Sequence, residues 1–237
     1  GAAVAGIAAL TAILIYRTHR VHRKREAEEQ SVEVFNLRKI KDSAAATAVT
    51  VDHMGTLLRE VRRVLNQGFD GLFEQNRQTL KTAREGQRRV QLWSNIIAAN
   101  VFKVFRLLQW QEVQHTRRYA QAISSLQEIS ESLRDIVVRS KLHVENNHSG
   151  LLRSQVTELR RVYTLLSEIL RRTAQALEQK ACPDCERIDA KNAELQELIR
   201  ELDDEQIQRI QNNESKTRLS ILFYSLVWDA AKIAEQT

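Results

Sequence analysis

The chain is poor in the residues that make turns: 1 Pro and 7 Gly in 237 positions. Sandwiches and barrels need turn residues about every 8–12 positions, so an all-β fold is excluded. Two cysteines are too few for a disulfide scaffold. No Gly-rich phosphate loop follows a strand pattern anywhere, which removes the common nucleotide-binding enzymes. Acidic residues are also in deficit, 30 against 36 Lys and Arg, giving a formal net charge of +6. What is abundant is apolar side chain, 43% of the chain, which is too much for a disordered protein and enough for a core.

Position gives the charge its meaning. Residues 1–16 (GAAVAGIAALTAILIY) carry no charge, and residues 17–25 (RTHRVHRKR) carry Arg17, Arg20, Arg23, Lys24 and Arg25 with no acid. The rest of the chain is therefore close to neutral, which argues against nucleic acid as a partner. An apolar run followed at once by a basic cluster predicts the end of a transmembrane helix entering the cytoplasm. A signal peptide would have the reverse order. Sixteen helical residues reach about 24 Å, short of the roughly 20 residues a bilayer needs, and the chain starts with Gly. More membrane sequence is expected upstream. A buried Ala-rich core helix is the alternative.

Residues 17–43 are expected to form a basic juxtamembrane segment and connector, and 44–237 a helical bundle. Apolar residues recur at steps of three and four through six segments, about 44–75, 76–108, 113–146, 151–180, 184–211 and 215–235. Gly68 and Gly71 are expected to fray the first helix near its end, and Gln109–Glu112 to break the second from the third. Asn146, Asn147, Ser149 and Gly150 predict a turn, as do Pro183 and Asn212–Asn213. Six amphipathic helices with short links predict an all-α, elongated antiparallel bundle.

Candidate chemistry is sparse. Cys182-Pro-Asp-Cys185 offers two zinc ligands where a structural site takes four, and lacks the strand-containing unit of a redox protein, so incidental thiols are expected. Glu112/His115 and Glu145/His148 have the spacing of di-iron ligands, but they fall at opposite ends of one helix, roughly 50 Å apart. Trp93, Trp110 and Trp228 are expected to pack in the core or at the bundle ends. The pairs Arg62–Arg63, Arg88–Arg89, Arg117–Arg118 and Arg171–Arg172 are expected on solvated faces, with a groove for acidic partners as the alternative. No catalytic, cofactor-binding or metal-binding residues are assigned.

Three stretches carry a resemblance: VDHMGTLLREVRRVL at 51–65, ISSLQEISESLRDIVVR at 123–139 and ESKTRLSILFYSLVWDAAKIAEQ at 214–236. Over about 32–237 the chain resembles the PhoU-like cytoplasmic domain at the C-terminus of bacterial inorganic phosphate transporters, of the Pit type or the sodium/phosphate cotransporter type. The resemblance implies two three-helix units, a place at the inner (plasma) membrane with the bundle in the cytoplasm, and upstream transporter helices as partners. It implies regulation of transport rather than an enzyme, with phosphate carried by the transporter and not bound here. Self-association stays open. The family's acidic metal motif is incomplete, with Gln127, Glu131 and Asp135 in one repeat and Asp229 and Glu235 in the other, so no metal cluster is expected. The alternative is a single-pass, membrane-anchored helical signalling or scaffold protein.

Overall fold

Long unbranched helix formers and scarce Gly and Pro let each apolar stripe run for many turns before a stop. The computed structural model describes residues 43–107, 113–182 and 185–237. The expected membrane helix, the cluster Arg17, Arg20, Arg23, Lys24 and Arg25, the connector, and Trp110, Glu112, His115 and Pro183 lie outside the described residues and side chains. Six helices follow: α1 (Ser43–Phe73), α2 (Arg77–Leu107), α3 (Val113–Glu145), α4 (Arg153–Gln179), α5 (Cys185–Gln211) and α6 (Thr217–Glu235). The bounds fall within three residues of those expected from periodicity. No strand occurs among the described residues. No described helix is long and apolar enough to cross a membrane.

α1, α3, α4 and α5 end where a residue turns left-handed, and none of those residues is glycine. Gln75, Asn147, Lys180 and Asn213 have φ of 53, 54, 52 and 56°. Each closes a Schellman motif; at Gln75 its own N–H reaches Leu72 O at 3.2 Å and the Asn76 N–H reaches Gly71 O at 2.8 Å. Asn76 then caps α2, its Oδ1 accepting from the N–H groups of Gln78 and Thr79, both at 3.0 Å. Gly68 and Gly71 do not fray α1. Both are helical, and a Cβ at Gly71 would stand 2.7 Å from Leu80 Cγ, so this glycine exists for close helix approach.

Packing builds one quadrilateral with two flanks. α1 packs on α3 and α4, and α6 packs on the same two helices, so α1, α3, α6 and α4 form a ring of neighbours. α2 lies along α1 and α3; α5 lies along α4 and α6; α2 and α5 do not touch. The core of α1 is Leu57, Val61, Val64, Leu65 and Phe69, all excluded from solvent. Each such side chain contributes about 1.5–3 kcal/mol by burial. Along α1/α4, Phe69 stacks on Tyr163 with centroids 5.6 Å apart, and Arg160 lies 4.8 Å over the Phe73 ring. Three apolar positions counted toward the stripes face outward instead: Ile207, Ile210 and Ile221. Trp228 is also not packed as expected and is 65% exposed, because α6 turns its Leu222, Phe223, Leu226 and Ile233 side inward.

Candidate functional site

Two of the acidic positions singled out in the sequence, Asp135 and Asp229, meet at the α3/α6 seam. α3 and α6 run antiparallel there, placing Asp135 opposite Asp229. Arg139 sits between them, 3.9 Å from Asp135 Oδ2 and 4.0 Å from Asp229 Oδ2. Its Nη1 also donates to Ser225 Oγ at 3.4 Å, and Lys232 Nζ lies 3.9 Å from Asp229 Oδ1. Asp229 is only 5% exposed and its Oδ2 accepts no hydrogen bond. Burial, then repulsion from Asp135, raises its carboxyl above the ordinary aspartate value, with Lys232 and Arg139 opposing. Gln127, Glu131 and Glu235 are exposed and do not join this pair. Arg139 and Lys232 set against the two carboxylates make a charge-paired, titratable seam. Among the described residues no group of three His, Cys, Asp or Glu is placed to hold a metal.

A second polar centre, which sequence reading missed, locks α4, α5 and α6 together. Arg209 donates to both Glu158 oxygens at 2.6 and 2.7 Å, and to Gln206 Oε1 at 2.9 Å. Its guanidinium also lies 5.3 Å from the Phe223 ring centre. Gln155 Nε2 donates to Gln206 Oε1 at 3.2 Å and Ser215 Oγ at 3.3 Å, while Gln206 Nε2 donates to Ser220 Oγ at 3.0 Å. All of these residues are buried. Glu205 stands next to the pair, and burial followed by the Glu158 carboxylate raises its carboxyl. Arg209 and Gln206 are three positions apart on α5, and Glu158 and Gln155 three apart on α4. The i,i+3 pairing of a charge with an amide on an apolar stripe was the available signal.

Over α4, between α1 and α5, runs a groove. Its wider part, about 640 Å³, is lined by Thr157, Arg160, Arg161 and Thr164 on one side and Glu194, Glu197 and Glu201 on the other. Arg161 and Glu201 pair across it at 3.5 Å. A second part of about 470 Å³ continues past Thr164 and Leu165 to Arg62 and Lys191. Its walls carry both signs of charge. Nearby, Arg171 and then Arg172 hold the Glu168 carboxyl down at about 2 against the opposing effect of burial.

The remaining expected positions resolve as follows. Cys182 and Cys185 are not free thiols; they are joined in a disulfide, with Cα atoms 5.3 Å apart, just ahead of and at the first residue of α5. The short loop brings them within bonding range, a geometry that spacing alone left open. Glu145 pairs with Lys141 at 2.5 Å rather than with His148. His148 instead meets the His143 ring edge and accepts from Arg218 at 3.0 Å. Because α3 runs unbroken from Val113 to Glu145, its two ends cannot share a site. Of the arginine pairs, Arg63 pairs with Glu60 at 2.6 Å, Arg62 donates to Ser167 at 2.8 Å, and Arg172 pairs with Glu168 at 2.6 Å. Trp93 is half-buried on α2.

Comparison of the chain with protein-family models and with curated proteins returns no match.

Proposed function

We propose that this chain is the PhoU-like, cytoplasmic regulatory region of an inorganic phosphate transporter, held at the membrane by the apolar segment 1–16 and its basic border. The observation that carries the reading is the pairing of helices: α1–α3 and α4–α6 each form a three-helix unit, and the units join along α1/α4 and α3/α6. That is the arrangement the resemblance at 51–65, 123–139 and 214–236 implies. The described side chains act by packing and charge pairing, and the reading assigns them no catalytic step. Coupling would run through the seams: a transporter that changes conformation must favour one arrangement of the two units over another. The α3/α6 seam, with its buried Asp229, is where such a preference would be set. A parallel signalling rod fits less well, because α1 and α5 each fold straight back on the next helix at a Schellman turn.

Phosphate uptake by the full transporter, with and without residues 44–237, tests the reading. Deletion is expected to change the rate or its dependence on phosphate; identical uptake curves would refute it. The cytoplasmic placement has its own check. Cytosolic glutathione keeps such cysteines reduced. The exposed Cys182–Cys185 disulfide would be open to that pool, so thiol trapping in intact cells should find it reduced to two thiols; a pair that stays bonded in the cell, as it is in the structure, would refute the cytoplasmic placement.

A further inference from the structure

α2 and α5, the two flanking helices, lie along opposite edges of the ring and carry opposite charge. α2 holds seven Lys and Arg against a single acid, Glu85. α5 holds eight Asp and Glu against four Lys and Arg, of which Arg209 is buried. The bundle is therefore polarised across its width, basic along one edge and acidic along the other.

The positive charge of α2 is concentrated on a line. Arg77, Lys81, Arg84 and Arg88 follow one another at steps of four, three and four, which is one face of a helix. Arg134 from α3 adds to it: burial first, then Arg88 and Arg134, push Arg84 below the ordinary arginine value. Lys81 and Arg88 form no ion pair among the described residues, and Arg77 is engaged by Asn147 Oδ1 at 2.6 Å rather than by an acid side chain. Arg89 turns the other way, to Glu60 on α1 at 3.0 Å. Further along the same line stand exposed Ala99 and then Phe102, which is 60% exposed.

We propose that this outward face of α2, with Arg134 beside it, is a docking surface for an anionic lipid bilayer. The line of cations and aromatic side chain extends from Arg77 to Phe102, about 37 Å along the helix axis. It stands on the outer edge of the bundle, where a planar array of headgroups can meet every cation at once. The grooves described above, which would suit a peptide, lie instead on α1, α4 and α5. Charge complementarity fixes the orientation, since the acidic edge at α5 is repelled by the same surface. Phe102 would enter the headgroup region, as aromatic side chains do in interfacial helices. This inference rests on the membrane-proximal placement proposed above but not on any role in phosphate transport.

Lys81 is a built-in reporter. The full chain is mixed with vesicles containing about one-third phosphatidylglycerol in phosphatidylcholine, or with pure phosphatidylcholine, and amine acylation is followed residue by residue. Any contribution from residues 1–16 is common to both vesicle types. Lys81 labelling is expected to fall several-fold on the anionic vesicles only, while exposed Lys180 and Lys216 are unchanged. Arg84→Gln with Arg88→Gln should remove the protection, weakening the contact about fivefold per cation, and high salt should do the same. Lys180→Gln with Lys216→Gln removes equal charge elsewhere and should leave it intact, with both double variants checked for unchanged melting. Equal labelling of Lys81 on the two vesicle types would overturn the proposal. So would protection in native membranes but not in protein-free anionic vesicles, which would identify an acidic protein as the partner. The vesicles hold neither transporter helices nor phosphate, so this result and the uptake result stand apart.

Discussion

Replacing Arg209 by Met removes the guanidinium while keeping an unbranched chain of similar length against Phe223. In the native protein Glu158 is buried and both of its oxygens receive Arg209 at 2.6 and 2.7 Å. Without Arg209 the carboxylate stays in the interior with Glu205 beside it and no cation. Gln206 loses one donor but keeps Gln155 Nε2 at 3.2 Å, so the damage centres on Glu158. Removing one partner of a buried pair costs about 3–5 kcal/mol. At about 2–4 °C per kcal/mol for a chain of this size, the melting temperature should fall by roughly 6–20 °C. Adding Glu158→Leu should recover a large part of that loss, since an apolar pair of matching volume is often as stable as the ions it replaces. Circular dichroism melts and urea titrations of the wild type, the Arg209→Met single variant and the double variant read this directly. A loss below about 1 kcal/mol, or a double variant no better than Arg209→Met, would show that the pair is solvated and that the reasoning is wrong.

Three further outcomes follow from the same structure. Asp229 has a carboxyl raised above its ordinary 3.8, so the folded chain holds that proton at pH values where the unfolded chain has lost it. Its contribution to stability is full below 3.8 and falls as pH rises through the raised native value; Asp229→Asn should therefore raise the unfolding free energy at pH 7, read by urea titration, by about 1 kcal/mol and flatten its pH profile. Gly86→Ala, which in an open helix would gain about 1 kcal/mol, should instead lose about 1–2 kcal/mol by urea titration. The new Cβ would stand 2.5 Å from Cγ2 of buried Val64, whereas Gly150→Ala meets nothing closer than the Gln75 side chain at 3.8 Å and should be neutral. Lys180→Gly, at a left-handed helix end with φ of 52°, should stabilise the chain by about 0.5–1 kcal/mol in the same assay.

Secondary structure was legible because it depends on local periodicity. Steps of three and four placed all six helices, and Asn147 and Asn213 fell in the turns that asparagine marks. Gln75 and Lys180 end helices equally well, yet neither residue type advertises a left-handed conformation. Glycine misled for the same reason in reverse. Gly71 and Gly86 serve helix contact, a relation between segments that a single segment does not display. The exposure of Trp228 and Ile221 likewise depends on which side of α6 the neighbouring helices take.

The sequence by itself determined that the chain is helical, how many helices residues 44–237 form and where they turn, because those outcomes follow from side-chain period and backbone preference. It also showed that the net charge is uneven, gathered at residues 17–25. Tertiary structure alone decided the pairing of charges. It set Asp135 against Asp229 with Arg139 between them, buried Arg209 on Glu158, joined Cys182 to Cys185, and put the basic α2 and acidic α5 on opposite edges. Such pairings join distant residues, Arg139 and Asp229 standing 90 positions apart, and Coulomb energy depends on distance in space and on burial, neither of which is written along the chain.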